Sequence, residues 1–181
     1  MSDASNLIGA IRAGDAIAVR TAIDANPELA HSRDESGVSV VCLAVYLGRE
    51  EIARILAEGR DDLDVFEAST LGGEAGRVRE LVSSAPDLIH SYSPDGFHPL
   101  GYACFFGRRQ LFELLLHSGA DLEAPARNRM RVRPLHSAVA HRAPQLARAT
   151  PTVATKCSQP LLKQRPRSPL ARDNCAPGPA A

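Results

Sequence analysis

The chain matches itself when shifted by 59 positions, and that register constrains its fold more than any single motif does. Segment 14–37 (GDAIAVRTAIDANPELAHSRDESG) aligns without gaps on segment 73–96 (GEAGRVRELVSSAPDLIHSYSPDG). Identities include Gly14/Gly73, Val19/Val78, Arg20/Arg79, Pro27/Pro86, Leu29/Leu88, His31/His90 and Gly37/Gly96. The register continues through Ala44/Ala103, Gly48/Gly107, Arg49/Arg108 and Leu56/Leu115 to Asp62/Asp121 and Leu63/Leu122. A shorter pattern, Ala-x-x-x-Gly, recurs at Ala10–Gly14, Ala44–Gly48, Ala68–Gly72 and Ala103–Gly107, with glycine spacings of 34, 24 and 35 residues. Self-similarity at such periods marks stacked repeats, because each unit is too small to bury its apolar face alone.

Periodicity inside each unit predicts two short helices. Leu7, Ile8, Ala10 and Ile11 form one apolar stripe, and Gly14 closes that helix where a positive φ is needed. Ala18, Val19, Ala22 and Ile23 form the partner stripe, which Asn26-Pro27 stops. The pair recurs as 39–47 with 49–57, as 64–71 with 74–83, and as 99–106 with 108–117. Helices this short do not hold in water alone, so each must pack on its neighbours. Asp34-Glu35-Ser36-Gly37 and Ser93-Pro94-Asp95-Gly96 are turn chemistry between pairs. The 24-residue spacing places a shortened connector at 58–64. The register also pairs Arg49 with Arg108 and predicts that both are dispensable surface groups.

Residues 96–124, GFHPLGYACFFGRRQLFELLLHSGADLEA, resemble the ankyrin repeat pattern G-x-T-P-L-H-x-A-x-x-x-G…L-L-L-x-x-G-A-D-x-N-A. His98-Pro99-Leu100-Gly101 stands where that family has Thr-Pro-Leu-His, and Gly119-Ala120-Asp121 matches outright. Residues 37–44 are a weaker copy, and Arg133-Pro134-Leu135-His136-Ser137-Ala138 opens a fifth. The resemblance implies an all-α ankyrin solenoid of stacked antiparallel helix pairs with short β-turn connectors. Four pairs and a partial fifth would fill residues 1–142.

It also implies a non-catalytic protein-binding module. In the family, the two residues before the glycine that closes the first helix, together with the turn tips, line the concave binding surface. Those positions here are Tyr46, Leu47, Thr70, Leu71, Phe105 and Phe106, with tips at Glu35, Val38, Asp95 and Phe97. Tyr46 and Phe105 are the favoured anchors, since exposed aromatic residues dominate protein interfaces. Being two repeats apart, they are expected to stand about 20 Å from each other, with Thr70 and Leu71 between them.

Composition divides the chain in two. Residues 1–142 hold 15 Arg, no Lys and 20 Asp/Glu, a net of −5. Residues 143–181 hold six basic residues and only Asp173, a net of +5, with seven of the thirteen prolines and no aromatic residue. That segment reads as a disordered Pro/Ala-rich basic tail. The change comes inside the fifth repeat, which admits either a natural tail or an out-of-frame translation.

Other chemistry is expected to be absent. No apolar run is long enough to span a bilayer, and the start lacks a secretory pattern. Cys42, Cys104, Cys157 and Cys175 show no CxxC or metal-ligand spacing, so reduced thiols, a cytoplasmic setting and no cofactor or metal are expected. Gly72-Gly73-x-x-Gly76 lacks the strand and Lys-Ser/Thr of a phosphate loop. Asp61-Asp62-x-Asp64 reads as turn and helix N-cap rather than a calcium loop. Arg127, Arg129, Arg131 and Arg133 have no interleaved aromatic residue and read as a solvated face, so no nucleic-acid partner is expected. The expected partner is another protein, bound by a monomer. Two other readings are a recognition fragment of a larger enzyme or toxin, and a truncated gene product without present function.

Overall fold

The computed structural model describes residues 3–71 and 75–140; the basic tail and Gly72–Gly73 lie outside them. Four helix pairs stack in chain order. They are α1 (Asp3–Ala13) with α2 (Ala16–Ala25), α3 (Val40–Tyr46) with α4 (Glu50–Ala57), α5 (Val65–Thr70) with α6 (Ala75–Ser84), and α7 (Pro99–Phe105) with α8 (Arg109–His117). A single helix, α9 (Pro134–Ala140), opens the fifth unit and packs on α7. Short 3-10 turns at Pro27–His31 and Pro86–His90 follow α2 and α6. The prolines that stop those helices thus also open the next turn, since a proline at the first position lacks an N–H that would be unpaired anyway. No strand occurs among the described residues beyond an isolated antiparallel bridge between Arg33 and Ser39.

The repeat chemistry works as the register requires. Gly48 N–H and Arg49 N–H close α3 onto Val45 O and Ala44 O; Gly107 and Arg108 close α7 onto Cys104 O and Ala103 O in the same way. The seam alanines Ala44, Ala68 and Ala103 are fully buried, which lets neighbouring helices approach closely. The turns also repeat in mechanism. The Asp34 carboxylate accepts the Val38 N–H, and 59 residues later the Ser93 hydroxyl accepts the Phe97 N–H. The core runs through the whole stack, from Leu7 and Ile11 through Ile52, Leu56 and Val78 to Leu100, Phe112 and Leu115.

The third unit departs from the others. Leu47 and Phe106, the caps after α3 and α7, keep near-helical backbones (ψ 4° and 3°), whereas Leu71 after α5 is extended (ψ 136°). Both Thr70 and Leu71 are buried. Thr70 is fully buried, donating its hydroxyl to Glu67 O, and its carbonyl accepts from Arg108 Nε at 3.0 Å. Arg108 is therefore not the equivalent of Arg49. Its side chain is mostly buried and also pairs with Glu50 at 3.1 Å, tying α8 to α5 and α4. Arg49 is exposed and makes no ion pair among the described residues.

Asp64 does cap α5. Its carboxylate accepts the Phe66 and Glu67 N–H groups while Glu67 accepts the Asp64 N–H, a complete capping box. The sequence pattern does not announce the next partner. Arg60 donates to Glu67 (3.1 Å), to Asp62 (3.0 Å) and to Ala30 O (3.1 Å), joining the connector to the first unit.

Candidate functional site

Six aromatic rings gather where α3, α5 and α7 meet the turn at 93–97. Tyr46 at the end of α3 lies 5.9 Å from Phe105, 5.3 Å from Phe106 and 6.1 Å from Tyr102, centroid to centroid. Tyr102 in turn touches Phe66, Phe97 and Phe106. Offset and edge-on pairs such as these add stability beyond the area they bury. The expected 20 Å strip between Tyr46 and Phe105 is therefore wrong: the two rings touch. In the third unit the position of Tyr46 and Phe105 is taken by Thr70, a small and fully buried side chain without a ring, and the rings of the second and fourth units meet.

Asp95 organises the cluster. Its carboxylate accepts the Tyr46 hydroxyl at 2.5 Å and the Tyr102 hydroxyl at 2.9 and 3.0 Å, and the Ser93 hydroxyl donates to it as well. Burial first, and then the hydrogen bond to Asp95, push the Tyr46 phenol far above its ordinary value; burial does the same for Tyr102. Both stay protonated donors at any physiological pH. The next connector docks on the same turn. Arg127 N–H pairs with Gly96 O at 2.7 Å, and the Asn128 amide donates to Asp95 O at 3.1 Å. The Arg127 guanidinium lies 4.0 Å over the Tyr92 ring. His98 caps α7 with Nδ1 on the Gly101 N–H and sets Nε2 against Ala124 O at 3.1 Å. The result is an apolar pocket of about 150 Å³ lined by Tyr46, Phe97, Gly101, Tyr102, Phe105 and Met130.

The other expected contact residues scatter. Val38, Thr70, Leu71 and Phe106 are buried and have no face to offer a partner, because they fill the seams between units. Leu47 is 43 % exposed, and Glu35 is exposed on the earlier turn; neither lines the pocket. Asp95 is half-buried and acts by holding the two tyrosines. Tyr102 and Met130 were not expected. Tyr102 carried a legible signal, since a hydroxyl at a position that is Leu43 one register earlier needs a buried partner. Met130, in a connector with no repeat copy, carried none.

Elsewhere, a wide groove of about 1100 Å³ beside α4 is lined by arginines and carboxylates together, including Arg20, Arg54, Glu50 and Glu58. His31 pairs with Asp62 at 3.2 Å, and no group of three His, Cys, Asp or Glu side chains among the described residues could hold a metal ion. Cys42 and Cys104 are buried in first helices, and burial pushes both thiols up to about 12.

The ankyrin repeat family model matches residues 95–127, the stretch from Asp95 through α7 and α8 to Arg127. That stretch is an ankyrin repeat, and the stacked helix pairs around it have the all-α architecture of ankyrin repeats. No curated protein matches it.

Proposed function

We propose that this chain is a non-catalytic module that binds another protein through the aromatic pocket on its α3–α7 face. Ankyrin repeats are in general protein-interaction modules. The observation that carries the particular reading is the pocket itself. Its rings are held in place by two tyrosine hydroxyls on one carboxylate, so little side-chain entropy is lost when a partner fills it. The thiol that would serve as a nucleophile is held protonated in both described cysteines, which favours recognition over acyl or thiol chemistry. No described helix is long and apolar enough to cross a membrane. The module is proposed to act as a monomer in the cytoplasm, without nucleic acid or cofactor.

The test is a random-peptide display selection on the full chain, repeated on a Phe105→Ser/Met130→Ser variant whose melting temperature matches the parent. Peptides that bind the parent and lose at least about tenfold on the variant support the reading. A panel that binds both forms equally refutes the site.

A further inference from the structure

We propose that the pocket and the adjoining 127–131 turn together recognise a partner segment in which one large apolar side chain is flanked by acidic residues. The inference rests on the protein-binding reading and adds the chemistry of the partner. A cavity of about 150 Å³ with apolar walls has room for one benzene-sized group. One phenylalanine or leucine side chain therefore fills it, with nothing left for a second.

The charge beside the pocket decides what flanks that anchor. The Asp95 carboxylate belongs to this assembly, but its oxygens already accept three hydroxyls, so it offers little to an incoming cation. Two positive charges adjoin the pocket wall unengaged. Met130, a wall of the pocket, stands between Arg129 and Arg131, both exposed and neither ion-paired with a described carboxylate. Their neighbours are already committed, Arg127 to the Tyr92 ring and Arg133 to Glu123 at 2.7 Å.

The turn is also built to hold this arrangement. Arg131 is the single described non-glycine residue with a positive φ, at 46°. Strain of that kind persists only where the surroundings impose it. Here Asn128 imposes it, its side-chain oxygen accepting the Met130 and Arg131 N–H groups at 3.1 and 3.2 Å while its amide donates to Asp95 O. One residue, Asp95, thus anchors both the tyrosine wall and the basic tip. Acidic residues on either side of the anchor meet Arg129 and Arg131, whereas basic ones meet like charge.

The chain has two methionines, Met1 and Met130, so methyl-labelled methionine gives a two-signal spectrum of the full-length protein. Three heptapeptides serve as probes: DEDFDED, its serine control DEDSDED, and the charge-reversed KRKFKRK. The expected result is that DEDFDED shifts the Met130 methyl signal and DEDSDED does not. Arg129→Glu combined with Arg131→Glu should then weaken DEDFDED by about tenfold or more. Arg131→Gly keeps the fold, because the position favours glycine, and should weaken the same peptide while melting no lower than the parent. KRKFKRK shifting Met130 as strongly as DEDFDED overturns the acidic flank but leaves the protein-binding reading standing. A Met130 signal unmoved by millimolar DEDFDED overturns the inference, and the display selection judges the broader reading separately.

Discussion

Removing Arg60 should cost far more than a surface arginine, and the structure sets the scale. The Arg60 side chain is 10 % exposed and that of Glu67 4 %. In Arg60→Ala, Glu67 remains buried with only the Asp64 N–H to accept from, and Ala30 O loses a donor. Breaking one side of a buried ion pair costs about 3–5 kcal/mol, most of it the desolvation of the orphaned charge. For a chain of this size, about 3 °C per kcal/mol converts that into a fall of about 10–15 °C in melting temperature. The loss should be seen in urea denaturation as a lower midpoint with an unchanged slope. Arg60→Met with Glu67→Gln should recover at least half of it, since the amide keeps the capping box without the buried charge. A single-variant cost below about 1 kcal/mol, or a double variant no better than Arg60→Ala, would show that the pair behaves as a solvated surface bridge and that the reasoning fails.

Burial lowers the His98 imidazole from its ordinary value, so the folded state favours the neutral ring. That stability is present above about pH 6.5 and is lost as pH falls from there through the lowered folded value; thermal melts from pH 8 to 5 should show the decline, and His98→Thr should flatten it. Gly96→Ala should cost about 2–4 kcal/mol, because its φ is +84° and a Cβ would meet the Arg127 and Asn128 backbone at 2.9 Å. Gly48→Ala, at φ +69° in open space, should cost about 1 kcal/mol, and equal costs would mean that the Gly96 contact is not tight. Arg108→Ala should lose about 1–3 kcal/mol through the unpaired Thr70 carbonyl, while Arg49→Ala stays within about 0.5 kcal/mol. Equal midpoints for those two arginine variants would restore the equivalence that the 59-residue register suggests.

What the sequence determined by itself is what local chemistry and the register can carry. Ala44 and Ala103 mark the seams because only a small side chain repeats there. Asp34 and Ser93 make equivalent turns because each offers an oxygen to the N–H four residues on. Asp64 caps α5 because a carboxylate before a helix satisfies N–H groups that have no partner within it. Each of these spans a few residues, and the register then places it in the stack. The tertiary structure decided everything that depends on how one unit leans on another. Tyr46 and Phe105 keep their register but touch, and the residue at their position in the unit between them is the small, fully buried Thr70. Arg49 and Arg108 share a register position and differ because only Arg108 has the Thr70 carbonyl within reach. The bond from Tyr46 to Asp95 spans 49 positions, and Met130 reaches the pocket from a connector that repeats nowhere. Periodicity encodes which face of a helix is apolar, but not how far a side chain extends across the seam, and the candidate site is made of such reaches.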